Sequence, residues 1–330
     1  MLSRLAESLY WLGRHTERAD CTARMVDTYL PFQQRAGSSG DRVLRALVMG
    51  CTPDADLTEE RAVPQELINT LVYDQTSPSS IAGSLTAARE NARGVRDYLT
   101  PSIWQTLNVT WHGLRARTPT PSGPHSFLRW VGERCAVTSG LVDQVMSRDE
   151  GWQFLMAGRG LERADMTIRM LIADVPHLCT DAAARSAVNA IGGWHAFLRT
   201  QHRVDRTMPA QAFEFGLLDS QFPRSIMQSL RQAEQALAAL DDLHLMLSRK
   251  MDSPRRIVAQ ARTALEYRTA PSSGDEIAFL LGALHSAVGR AHDAMRGNHF
   301  STEDVSWAII NPDDGLTLSG TSAIDGEAPR

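Results

Sequence analysis

The sequence predicts an all-α fold: a multi-helix bundle built from two duplicated helical units related by a pseudo-two-fold axis. Three observations predict it. The string Gly13-Arg-His-Thr-Glu-Arg-Ala-Asp-Cys-Thr-Ala-Arg-Met25 returns as Gly158-Arg-Gly-Leu-Glu-Arg-Ala-Asp-Met-Thr-Ile-Arg-Met170, with nine of thirteen positions identical at an offset of 145. A second block keeps that offset: Asp74, Pro78, Ser80, Ile81, Ser84, Leu85 and Ala88 match Asp219, Pro223, Ser225, Ile226, Ser229, Leu230 and Ala233. Two blocks sharing one offset mark a duplication rather than a chance motif. Finally, apolar residues recur at spacings of three and four, whereas period-two runs rich in Val, Ile and Thr are absent, so no sheet is expected.

The elements follow in order. Leu5, Leu9, Leu12, Thr16, Ala19, Ala23, Val26 and Leu30 draw one seam along a helix over 3–30, and Pro31 stops it. Helices are expected near 41–50 and 60–73. Asp74 opens a Pro-containing turn, and Ser80 is placed to cap a helix over 80–99 carrying Ile81, Leu85, Ala88, Ala92, Val95 and Leu99. Helices over 101–116 and 126–147 flank a Pro-rich loop at 117–125. The second unit repeats the plan. Phe154, Ala157, Leu161, Ala164, Ile168, Leu171 and Val175 mark a helix over 149–175, ended by Pro176. A helix over 181–200 follows, then one over 225–248 capped by Ser225, then helices over 254–268 and 276–297. The units are assigned to 1–148 and 149–300. The remaining 301–330 reads as a C-terminal extension, disordered from about 311, where Asp, Gly, Ser and Pro accumulate.

Composition narrows the function classes. The chain has 330 residues, 43% apolar and 22% charged, and a net charge of -4. That is ordinary for a globular protein and gives no polybasic arm for nucleic acid or an anionic membrane. No apolar run reaches the roughly 18 residues that span a bilayer. The start, Met1-Leu-Ser-Arg-Leu-Ala-Glu7, is charged and amphipathic at once, unlike a signal peptide. Cys21, Cys51, Cys135 and Cys179 are widely spaced with no C-x-x-C, as expected of buried thiols in a reducing, cytoplasmic setting. Lys250 is the only lysine, and no phosphate-binding glycine loop occurs, so no nucleotide or other cofactor is expected.

The residues shared by the copies are mostly polar. Gly13, Glu17, Asp20 and Arg24 form a stripe one residue around from the apolar seam, repeated by Gly158, Glu162, Asp165 and Arg169. Arg14, Arg18, Arg159 and Arg163 are expected on its outer side. Two readings stay open. In one, Asp20–Arg24, Asp165–Arg169 and Arg14–Glu17 are helix-surface pairs, or the Glu and Arg side chains only bridge the two copies. In the other, Glu17, Arg18, Glu162 and Arg163, the catalytic candidates, line a polar pocket near the axis, with Arg14, Asp20, Arg24, Arg159, Asp165 and Arg169 as ligand-binding candidates, since guanidinium forks suit carboxylates and phosphates. A glycine four residues before each Glu leaves room for a partner helix or a ligand.

A second stripe, Arg89, Arg93 and Arg96 with Asn91 beside it, becomes Glu234, Ala238 and Asp241 in the second copy. Either the two stripes pair with each other or with the Glu-Arg helices, or the first copy keeps an anion-binding face. Arg224, at a helix start, is a further anion-binding candidate. A metal site is not expected: His285 and His292 stand two helical turns apart, and no Glu-x-x-His occurs. Cys21 becomes Met166 in the other copy, which suits packing rather than nucleophilicity.

These strings resemble the alpha-E domain family, bacterial all-helical proteins with a Glu-Arg motif. The resemblance rests on Met1 to Asp20, Ala88-Arg-Glu-Asn-Ala-Arg-Gly-Val-Arg96, the Trp104 to Asn108 region, Trp152 to Asp165 and Phe222-Pro-Arg-Ser-Ile226. It departs at Gly160, where the first copy has His15. The resemblance implies partnership with circularly permuted ATP-grasp ligases and proximity to transglutaminase-like peptidases. The implied role is a helical accessory or substrate-handling component of an amide- or peptide-bond-forming system. The competing roles are a scaffold or protein-interaction module without catalysis, and an enzyme using Glu17 or Glu162 as acid or base.

Overall fold

A computed structural model describes residues 1–32, 39–49, 68–115, 117, 124–174, 180–200, 207–243, 253–268 and 274–300. Among them every regular element is a helix: α1 (Ser3–Tyr29), α2 (Ser39–Met49), α3 (Ile81–Gly94), α4 (Pro101–Arg115), α5 (His125–Val145), α6 (Glu150–Asp174), α7 (Asp181–Ala190), α8 (Trp194–Thr200), α9 (Met208–Leu218), α10 (Ile226–Leu243), α11 (Pro254–Glu266) and α12 (Gly274–Met295). A 3-10 turn at Leu30–Phe32 and π turns at Asn69–Tyr73 and Arg296–Phe300 complete the helical content of the described residues. No described helix is long and apolar enough to cross a membrane.

Two helices organise the bundle. α1 and α6 cross at Gly13 and Gly158, backbone against backbone. A Cβ on Gly13 would stand 2.1 Å from the Leu155 carbonyl oxygen, and one on Gly158 would stand 2.1 Å from that of Tyr10. Only glycine allows so close an approach. Their seams then face α3 and α10 respectively, burying Leu9, Leu12, Ala19, Ala23 and Val26 on one side and Phe154, Leu161, Ala164, Ile168 and Leu171 on the other.

The caps of α3 and α10 follow the sequence reading. Ser80 Oγ accepts from Gly83 N at 2.8 Å, and Ser225 Oγ accepts from Gln228 N at 3.0 Å. Each hydroxyl also donates back to the carbonyl of the turn-opening aspartate, Asp74 or Asp219. α1 ends where Pro31 removes the next amide donor.

Several expectations are corrected. The helix expected over 181–200 is broken: Gly192 takes φ +73, Gly193 N donates to Val188 O, and Gly192 N donates to Asn189 O. That is a Schellman end, and the Gly192-Gly193 pair is its signal. α9 was not anticipated, because Ala212, Phe213, Phe215 and Leu217 bury several of its sides and leave no amphipathic period. α3 closes at Gly94, so Arg96 lies past its end and does not share a helix face with Arg89 and Arg93. The expected helix over 60–73 is described only from 68. Most of the 117–125 loop, Pro176, Cys51, Cys179, Lys250 and the tail lie outside the described residues.

Candidate functional site

The Glu-Arg motifs exchange partners across the α1–α6 crossing. Arg163 grips Glu17 with two parallel bonds, Nε to Oε1 and Nη2 to Oε2, both 2.7 Å. Arg18 grips Glu162 in the same way, Nε to Oε1 at 2.5 Å and Nη2 to Oε2 at 3.0 Å. Each arginine also donates to the carbonyl of a turn proline: Arg18 to Pro78, Arg163 to Pro223, both at 3.2 Å. Both glutamates are buried, at 4% exposure for Glu17 and 0% for Glu162. Burial alone would raise the Glu17 carboxyl pKa, but the Arg163 guanidinium overrides it and holds the group at about 2. Arg18 and Arg14 hold Glu162 below its ordinary range against a similar burial cost. Both are therefore carboxylates at neutral pH.

This geometry corrects the placement of the first arginine in each motif. Arg14 and Arg159 do not lie on an outer face; they are 6% and 7% exposed. Arg14 does not serve Glu17 one turn along its own helix but reaches across to Glu162 Oε2 at 2.6 Å. The i,i+4 pairs form as the spacing suggests, Arg24–Asp20 at 3.0 Å and Arg169–Asp165 at 2.8 Å, though in partly buried settings.

The surroundings of the two glutamates differ. Around Glu162 aromatic and histidine side chains gather. Tyr10, 145 residues before Leu155, brings its hydroxyl to 3.0 Å from His292 Nδ1 on α12. Trp11 packs against His15 and His292, and His285 Nε2 lies 3.4 Å from Asp165 Oδ1. Burial, reinforced by nearby arginines, lowers the pKa of His15 and of His292 to about 4, so both rings are neutral. Arg14, despite the desolvation cost, is held charged by Glu162, Tyr10 and Asp165.

Around Glu17 a cavity of about 460 Å³ opens. Its wall includes Glu17, Asp20, Asp143, Arg159, Arg163 and Arg224, with Gln228, Gln232 and Gln235 along one face of α10. Here Arg159 turns away from the motif glutamate and donates to Asp143 Oδ1 at 3.2 Å. Desolvation lowers its pKa, offset only in part by Glu17 and Asp143. Arg224 donates to Asp20 Oδ2 at 3.0 Å, leaving its buried Nε without a partner, as is the buried Gln228 Oε1. Two thiols border this region, and burial pushes Cys21 up to about 12 and Cys135 well above its usual range. Neither is a nucleophile in that state.

The second stripe stands apart from this site. Arg89 donates to Asn108 Oδ1 and Glu90 Oε1 and stacks over Trp111 at 4.3 Å. Arg93 pairs with Glu90 and Arg96 faces Asp97, both on exposed surface. Asn91 donates to the Ala87 carbonyl of its own helix. Glu234 is held by Arg262, and Asp241 by Arg255 at 3.8 Å. In these pairs neither stripe meets the other or the Glu-Arg helices. Asp143 and the three glutamines are site residues the sequence reading missed. The Gln228, Gln232, Gln235 spacing on one helix face was their only signal.

Crossing helices that exchange buried Glu–Arg pairs beside a polar cavity define an all-helical domain organised by a Glu-Arg motif. The chain belongs to the Alpha-E family, a predicted alpha-helical domain with a conserved ER motif, whose match covers residues 1–300. It is similar to an uncharacterized protein of Mycobacterium bovis, 23% identical over 94% of this chain and 38% of that protein. Uncharacterized proteins of two Mycobacterium tuberculosis strains match at 23% and 22% over the same shares. The chain thus spans 38% of the length of these curated relatives. No solved structure matches it.

Proposed function

We propose that this chain is the substrate-handling component of a cytoplasmic, ATP-grasp-linked amide- or peptide-bond-forming system. In this reading a circularly permuted ATP-grasp ligase supplies the nucleotide chemistry, and a transglutaminase-like peptidase acts in the same system. The cavity beside Glu17 carries the proposal. Packing alone does not require an open volume lined by three guanidinium groups and three glutamines. Its size falls in the range of roughly 300–1,000 Å³ typical of small-molecule sites. The relatives carry more than half of their length outside the matched part, room for the remaining activities.

We further propose that the chain arose by duplication, with units 1–148 and 149–300 about a pseudo-two-fold axis. The reciprocal pairs support this: Gly13 on Leu155 and Gly158 on Tyr10, Arg18 on Glu162 and Arg163 on Glu17. The scaffold alternative describes the Glu162 half well. The acid–base alternative is disfavoured, because a carboxyl held at about 2 by a bidentate arginine neither keeps a proton to donate nor accepts one readily at neutral pH.

The test mixes the full chain with such a ligase and follows co-elution and ATP-dependent amide formation. The proposal expects a stable complex and amide formation accelerated several-fold. A ligase that works at the same rate alone and elutes separately would overturn it.

A further inference from the structure

The two motif halves differ in one place that bears on ligand class. Arg14 and Arg159 occupy equivalent positions in the duplicated string. Arg14 is locked to Glu162 inside a closed cluster. Arg159 is equally buried, yet it lines the cavity and meets Asp143, whose side chain is 49% exposed. A carboxylate half in water loses little by swinging out, since solvent replaces the bond it gives up. Asp143 therefore acts as a placeholder on a guanidinium that a better-buried anion would satisfy.

The charges around the cavity select the anion. Glu17 is neutralised by Arg163, and Asp20 is shared by Arg24 and Arg224. On the wall Arg159, Arg163 and Arg224 balance Glu17, Asp20 and Asp143, and moving Asp143 out into water leaves one positive charge. That balance matches a single carboxylate, whereas a phosphate dianion or a nucleotide would bring negative charge that the wall does not compensate. The rest of the wall is not ionic. Gln228, Gln232 and Gln235 project from successive turns of α10, and side-chain amides of this kind match peptide N–H and C=O groups. The partnerless Arg224 Nε and Gln228 Oε1 add one donor and one acceptor on side chains of the same wall.

We propose that this cavity binds the carboxylate of an acidic amino-acid residue within an amide or peptide, on Arg159, displacing Asp143, with the adjoining amide groups on the α10 glutamines. The inference rests on the substrate-handling reading above and names the substrate class of that site.

The probe is N-acetyl-glutamate amide, titrated calorimetrically into the full chain in the absence of any ligase, with N-acetyl-glutamine amide as the isosteric neutral control. The acid is expected to bind and the amide to bind at least tenfold more weakly. Asp143→Asn removes the competing counter-charge and should tighten binding of the acid several-fold. Arg159→Met should weaken it at least tenfold while the thermal melt stays close to wild type. Should Arg159→Met fail to fold, the half-exposed Asp143→Asn variant still decides. Equal binding of acid and amide, no binding of the acid, or an Asp143→Asn affinity unchanged or reduced would each overturn the proposal. Carboxylate binding without ligase stimulation would retain this site and discard the ligase partnership; stimulation without carboxylate binding would do the reverse.

Discussion

The Glu162 half and the Glu17 half of the bundle carry the same four-residue signature, Glu-Arg-Ala-Asp, and put it to different uses. Glu162 accepts from two arginines, and Tyr10, His15, His285 and His292 close the space around it. Glu17 accepts from Arg163 and, at 3.6 Å, from Cys21 Sγ, and its second arginine has turned to a cavity wall. A motif read from its letters is one object; in the fold it is a structural clamp on one side and the edge of a binding cavity on the other. What decides between them is not the motif but its neighbours: Tyr10 against Leu155, His15 against Gly160, and an α12 rich in histidine against an α5 that offers Asp143.

The largest expected effect separates the two glutamates. Glu162→Gln strands two guanidinium groups, one of them buried, and should cost about 3–5 kcal/mol in a urea melt. Glu17→Gln strands one, Arg163, beside a cavity that admits water, and should cost about 2–3 kcal/mol. Equal losses would break the comparison. The crossing itself should behave alike from both sides. Gly13→Ala and Gly158→Ala each drive a methyl into a backbone oxygen, so each should lower stability by about 2–3 kcal/mol, within experimental error of one another. A large difference between them would contradict reciprocal packing.

Acid should expose the same asymmetry. His15 has a folded pKa of about 4, below its ordinary value, because burial and Arg18 disfavour the cation. The unfolded chain therefore binds the proton first. Stability from a neutral His15 is complete above about pH 6.5 and is lost as pH falls toward 4. The depressed Glu17 carboxyl contributes above its unfolded value of about 4.3, and that contribution is lost as pH falls toward 2. His15→Gln should make the loss of stability between about pH 6.5 and 4 shallower, His292 supplying what remains, while leaving the steeper loss below it. A profile of the same shape in both proteins would remove His15 from the closed half. The smallest effect belongs to the exposed arginines: Arg93→Ala and Arg96→Ala should each change stability by less than about 0.5 kcal/mol.

Much of the fold was legible in the sequence because its determinants are local. The α1 and α6 seams, the Pro31 stop and the Ser80 and Ser225 caps depend on residues within a turn or two of one another. Gly192-Gly193 was equally local, yet a periodic apolar pattern on either side of it reads as one helix. α9 lacked any amphipathic period, so only Pro209 at its start marked it. The site was legible in part. The spacing put Glu17, Asp20 and Arg24 on one stripe, but it could not tell an i,i+3 partner from one across a glycine crossing. That choice depends on two helices far apart in sequence meeting backbone to backbone. The asymmetry was least legible of all, since Arg14 and Arg159 differ only in what α5 and α12 place before them.

Paired urea melts of Arg14→Met and Arg159→Met test this asymmetry most directly. Methionine keeps most of the apolar stem and removes only the charge. Arg14→Met takes one of two arginines from a fully buried carboxylate and should cost about 2–3 kcal/mol. Arg159→Met removes a buried guanidinium whose counter-charge can relax into water, and should cost less than about 1 kcal/mol or be neutral. Losses of equal size, or a greater loss at Arg159, would contradict the division of one motif into a closed clamp and an open site.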